Sequence, residues 1–147
     1  MPPFTWSDTW LLLSIGTGGE TGATLKDIIA AGDFLNHAIF TGAELRRGFA
    51  KLLAAGYVVK VADRFQVAGQ ALTLLREFSG SPTRSVWNEC DRLLGLKPGS
   101  YASDANVEDP NWCYAPATDK AVQAAYREFV GDGAAQTAMA YATQKRP

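Results

Sequence analysis

Residues 41–67, TGAELRRGFAKLLAAGYVVKVADRFQV, constrain the chain most: they spell one short helix that turns at once into a tight hairpin. Thr41 can accept a first-turn backbone amide while Glu44, three residues on, reaches back to the amide of Thr41, a reciprocal capping box. Leu45, Phe49, Leu52 and Leu53 stand at i, i+4, i+7 and i+8, one apolar stripe for a core. Gly56 follows the last periodic residue, where a left-handed cap suits glycine. Tyr57, Val58, Val59 and Val61 then carry strand chemistry, Ala62-Asp63 supplies a turn, and Arg64–Val67 alternates as the return strand. The pattern predicts Leu45, Phe49 and Leu52 buried, Arg47 and Lys51 exposed, and 57–61 paired antiparallel with 64–67.

The outward face of that helix holds the functional content. On a wheel of about 100° per residue, Arg47 falls nearly opposite the apolar stripe. Ala43, Ala50, Lys51 and Ala54 surround it, with Arg46 on the flank. A face of small residues and three bases can lie in a major groove, with Arg47 at a guanine edge and Lys51 at a phosphate. It is also the composition of an ordinary solvated face. Gly48, beside the stripe, reads as room for close helix packing. The net charge is −1 and the pI about 5.8, which argue against generic nucleic-acid binding. The distribution says more. Residues 41–64 carry +3 (Arg46, Arg47, Lys51, Lys60 and Arg64 against Glu44 and Asp63), whereas residues 1–40 carry −3 and residues 100–147 carry −2. Positive charge is thus concentrated in the central helix and its hairpin, as an electrostatic footprint would be.

The run DIIAAGDFLNHAIFTGAELRRGFAKLLAAGYVVKVADRFQV resembles the winged helix-turn-helix domains of bacterial transcriptional regulators, in particular a loosely defined, largely uncharacterised group. The resemblance spans residues 5–80. In such domains the helix matching 41–55 enters the DNA groove and the hairpin matching 57–67 touches the backbone. The resemblance implies a DNA-binding transcriptional regulator, dimeric because two half-sites multiply the contacts of a small reading head. Arg46, Arg47, Ala50, Lys51, Lys60 and Arg64 would then face double-stranded DNA. Winged helices also hold protein partners, so a winged-helix protein–protein interaction module without DNA binding is the alternative, supported by the acidic pI and the short wing. Two features depart from the pattern: the wing between Val61 and Phe65 is very short, and Ala68-Gly69 stands where a threonine-led cap is expected.

The flanks complete the expectation. Thr5 or Ser7 can cap a first helix through Trp10, Leu11, Leu12, Leu13 and Ile15. The following GTGGETGAT has neither phosphate-loop spacing and follows no strand, so it reads as a loop. Thr24 caps a second helix whose stripe is Leu25, Ile28, Ile29, Phe34 and Leu35; Gly32 interrupts it and could divide it in two. Asp33, Asn36 and His37 share one face near its end. Asp33 and His37 could form an acid–base dyad, but no nucleophile or second histidine accompanies them, and a polar cluster of all three closing the helix end is preferred. Further helices are expected over 70–78, from Pro82 as first helical residue after Ser81, and from Thr118, with Cys90 in the core. Gly131 and Gly133 end the last of these; 134–142 can be helical and 145–147 reads as a tail. The stripes Val86, Trp87, Leu93, Leu94 and Tyr126, Phe129, Val130 exceed what one short helix covers, which adds to the case for a homodimer.

The expected fold is therefore mostly α with a small β-hairpin: a winged helix-turn-helix domain over 1–80, then a C-terminal helical extension over 81–147. A long loop at about 96–117 carries Trp112, Cys113 and Tyr114, an aromatic patch that either pins the loop down or meets a partner. Asp104, Glu108 and Asp109 lack metal-loop spacing. The two cysteines, far apart, suggest neither a disulfide framework nor zinc. No catalytic, cofactor or metal set is complete, so no enzyme and no cofactor are expected. No apolar run is long enough to cross a bilayer, and the expectation is a cytoplasmic protein with no membrane partner.

Overall fold

The computed structural model describes residues 1–131. Among the described residues there are six α-helices and one two-stranded sheet: α1 (Trp6–Gly16), α2 (Leu25–Asn36), α3 (Gly42–Ala54), β1 (Val58–Val61), β2 (Arg64–Val67), α4 (Gly69–Glu77), α5 (Thr83–Leu93) and α6 (Asp119–Phe129). The expectations at 133, 134–142 and 145–147 lie outside the described residues.

α1 is the centre of the molecule. Every residue from Ser7 to Ile15 is buried, including Ser7, Asp8, Thr9 and Ser14. A helix apolar nearly all round must be enclosed, and α1 accordingly touches α2, α3, α5 and β2. Thr5 starts it, its amide donating to Asp8 Oδ2 at 2.7 Å. The glycine-rich stretch forms a single 3-10 turn at Gly19–Thr21.

α2 is continuous through Gly32, contrary to the expected division. The reason is close approach. A Cβ at Gly32 would collide with the Phe40 ring, and the Gly32 carbonyl accepts from Trp10 Nε1 at 3.0 Å. The gain in packing outweighs the glycine penalty of about 1 kcal/mol. His37 ends α2 in a left-handed conformation with φ 52°.

α3 and the hairpin follow the pattern of their sequence. Thr41 and Glu44 form the reciprocal cap, at 2.9 Å and 3.1 Å. Leu45, Phe49 and Leu52 are wholly buried, and Gly56 has φ 76°. β1 pairs antiparallel with β2 from Val58–Val67 to Val61–Arg64 across the Ala62-Asp63 turn. On the other side of β2, Ala23 and Phe65 exchange backbone hydrogen bonds, both 2.8 Å, so the residue ahead of α2 joins the hairpin. Gly48 lets α3 cross α1: a Cβ there would lie 2.6 Å from Leu11 Cδ2 and 3.1 Å from Asp8 Oδ1.

α5 begins at Thr83 with Pro82 as its cap, one residue later than expected. Cys90 is in the core, and burial pushes its thiol up to about 12, with help from Asp91 and Glu89. α5 packs on α1 and α6 on α2. Leu94 and Phe129 are buried, and Val86, Trp87, Leu93 and Tyr126 lie half-buried against the same core. The apolar stripes that suggested a dimer thus rest in large part on the chain's own core, with several of their residues half-buried.

Candidate functional site

The outward face of α3 departs most from the sequence reading. Arg47 is 5% exposed and Lys51 1%, where both were expected in solvent; Ala50 is half-buried. Two segments distant in sequence cover them, the N-terminal arm and the loop leading into α6.

The arm covers Lys51. Its Nζ meets Asp8 Oδ2 at 2.5 Å, donates to the Pro3 carbonyl at 3.2 Å and stands 5.8 Å from the Phe4 ring centroid. Asp8 is itself fully buried. Two buried charges are tolerable only as a hydrogen-bonded pair, and the cap of α1 fixes this carboxylate in position.

The loop covers the arginines. Leu94 to Thr118 contains neither helix nor strand, and its later part together with Asp119, the first residue of α6, hereafter the strap (residues 104–119), lies along α3. Arg47 Nη2 pairs with Asp104 Oδ2 at 3.1 Å and donates to Ser7 Oγ at 3.2 Å, while Nη1 donates to the carbonyls of Asp104 and Val107. Arg46 pairs with Glu108 and, at 2.8 Å, with Asp119, and donates to the Ala117 carbonyl at 2.9 Å. The Glu108 hydrogen bond is the main cause holding the Arg46 pKa above its ordinary value, with burial opposing and Asp119 assisting. Thr41 Oγ1 donates to the Ala105 carbonyl, and the Tyr114 amide to the Arg46 carbonyl at 2.9 Å. Gly42 leaves the space: a Cβ there would press on the Asp119 carboxylate and lie 2.7 Å from Arg46 Nη1.

An aromatic anchor completes the clasp. Phe49 stacks on Phe65 with centroids 4.2 Å apart, and Tyr114 meets them edge-on at 5.5 Å and 5.8 Å. Edge-to-face contact is a favoured geometry for rings. Burial raises the Tyr114 pKa. Even so, Arg47 Nε and Asp104 Oδ1 are buried without a hydrogen-bond partner.

Of the residues expected at DNA, Arg46, Arg47 and Lys51 are therefore engaged inside the chain. Lys60 and Arg64 of the hairpin remain exposed. Lys60 Nζ reaches only the Ala62 carbonyl, at 2.6 Å, and Arg64 stands 3.8 Å from Asp27. Asp8, Asp104, Glu108, Asp119 and Tyr114 were not singled out as a set from sequence. The signal available was the charge partition: an acidic first segment and an acidic last segment flank a basic centre.

Asp33 and Asn36 each keep one buried polar atom without a partner, and His37 is exposed at the helix end. Burial raises the Asp33 pKa while His37 opposes the shift. Tyr126 on α6 is raised first by burial and then by the Asp33 charge. Two clefts, of about 570 and 430 Å³, lie elsewhere and do not include His37. Among the described residues no group of three His, Cys, Asp or Glu side chains is placed to hold a metal ion, and no helix is long and apolar enough to cross a membrane. Comparison with family models, curated proteins and solved structures finds no match to the chain.

Proposed function

We propose that this chain is a winged-helix-like protein-interaction module whose third helix, with its bases paired inside the chain, is not a DNA-reading element. The observation that carries the reading is the fate of the α3 bases. All three make ion pairs within the chain, two of them with the strap. A base already held by a carboxylate releases no counterion from a phosphate, and that release drives DNA affinity. The hairpin adds an exposed apolar surface at Val59 and Val61, suited to protein rather than phosphate.

The test is binding to mixed duplex fragments at low and high salt, with Arg47→Ala and Lys51→Ala alongside. The module reading predicts no salt-dependent binding that either substitution removes. Both variants should instead lose stability. Binding that weakens steeply with salt and falls with Arg47→Ala would overturn it.

A second reading keeps the DNA-binding dimeric regulator, with Arg46, Arg47, Ala50 and Lys51 at the groove once the strap has left. The exposure of Lys60 and Arg64 favours it. Its signature would be a salt slope reduced by about one unit when Lys60 is neutralised.

A further inference from the structure

The strap is attached to α3 as a bound peptide is attached to a receptor. Four of its carbonyls, those of Asp104, Ala105, Val107 and Ala117, accept from Arg47, Thr41 and Arg46. Three of its four carboxylates, Asp104, Glu108 and Asp119, meet the two guanidinium groups, and one of its two aromatic side chains, Tyr114, seats against Phe49 and Phe65. Carbonyl contacts are independent of sequence and give affinity; the carboxylates and the ring give specificity. Residues 104–117 contain no helix or strand, so their departure breaks none; Thr118 and Asp119 are the cap and first residue of α6 and stay with that helix. The fit is also incomplete. Arg47, 5% exposed, keeps Nε unpartnered, and Asp104 Oδ1 is likewise buried without a partner; an unpaired buried polar group costs about 1–3 kcal/mol in general. A permanent core would have little reason to retain both.

We infer that the face of α3 made by Thr41, Arg46, Arg47 and the Phe49–Phe65 edge is a receptor for an extended acidic protein segment with an aromatic anchor. The chain's own residues 104–119 occupy it and hold it closed. The partner is recognised by the chemistry of the strap: carboxylates spaced to meet two arginines, with an aromatic side chain between. The inference rests on the protein-module reading and names the surface and the class of partner. A tethered strap competes at an effective concentration of about millimolar, so a partner segment gains access only when it carries better carboxylate geometry or when the strap is weakened.

The experiment uses the full chain and a labelled peptide of residues 101–119 as probe. It is titrated into wild type, into Glu108→Gln/Asp119→Asn, and into the same double variant with Tyr114→Ala. Glu108 and Asp119 are 53% and 78% exposed, so the double variant keeps the fold even if the triple variant does not. The expected result is saturable binding to the weakened-strap chains about tenfold tighter than to wild type, the margin being set by the tethered competitor. A peptide carrying the same three substitutions should bind about tenfold more weakly than the native peptide, having lost two charge-assisted contacts and its anchor. Mixed duplex DNA at two salts is run in parallel. If the double variant unfolds cooperatively like wild type yet binds the peptide no better, the receptor inference fails while the module reading stands. If it binds duplex with a steep salt slope and ignores the peptide, both fail.

Discussion

Two parts of the molecule carry the same chemistry and meet opposite fates. The outward face of α3 holds Arg46, Arg47 and Lys51; the hairpin beside it holds Lys60 and Arg64. From the sequence both are basic, polar surfaces next to an apolar stripe. In the fold the first is sealed under the arm and the strap, whereas the second stands in solvent. The difference is not local. Arg47 is held by residues up to 60 positions away, and Arg46 by one 73 away, but Lys60 has only its own turn for company. A buried base is already engaged and an exposed base is available, so the comparison separates the arginines that a partner meets only by displacing the strap from the bases it can meet directly.

The sharpest way to break the comparison is to remove one charge from each side. Lys51→Ala leaves the Asp8 carboxylate buried without its counter-charge and should cost about 3–5 kcal/mol in denaturant unfolding, while Lys60→Ala should stay within about 0.5 kcal/mol. Similar small losses for both would mean that Lys51 is not enclosed. The double replacement Asp8→Leu/Lys51→Met should cost less than Lys51→Ala alone, because no charge is then left unpaired.

Gly48→Ala probes the contact that brings Asp8 to Lys51. Its Cβ would press on Leu11 and Asp8, and overpacking of this kind costs about 1–3 kcal/mol. An unchanged unfolding midpoint would show that α1 and α3 can separate freely.

A weaker effect is expected from the strap's exposed carboxylates. Glu108→Gln and Asp119→Asn should each cost about 0.2–1 kcal/mol, as exposed ion pairs do, and the loss should shrink as salt is added. A salt-independent loss would place the stabilisation in packing instead.

The smallest effect concerns Asp33, whose pKa burial raises. A carboxyl raised in the folded state favours the protonated form there. Its contribution is therefore fully present below the ordinary aspartate range and is lost as pH rises through the folded value. Asp33→Asn should remove that slope, leaving the variant relatively more stable towards neutral pH than in acid. A wild-type slope of the opposite sign, compared with the variant in thermal unfolding, would contradict the burial argument.

How much of this was legible depends on which side of a helix is considered. The stripe of α3, its cap, Gly56 and the register of the hairpin all follow from neighbours within a few residues, and the structure agrees with each. The same wheel that placed Phe49 inward could say only that Arg47 points away from Phe49. Whether water or protein lies there depends on loop closure over dozens of residues, which periodicity does not record. Gly32 was misleading for a related reason: its cost is local, whereas its compensation, the Phe40 ring and the Trp10 indole, comes from other elements. The long loop was visible as an anomaly, and its aromatic patch pointed to anchoring. The acidic–basic–acidic partition of charge held the pairing of strap and helix in plain view.

Guanidinium accessibility tests the central claim most directly. Phenylglyoxal modification of the native chain, mapped by mass spectrometry, should label Arg76 and Arg64 rapidly, since their side chains are 67% and 46% exposed. Arg46 and Arg47, at 13% and 6%, should be protected until the chain unfolds. Labelling of Arg47 in the folded chain at the rate of Arg76 would contradict the account, because the face of α3 would then be open.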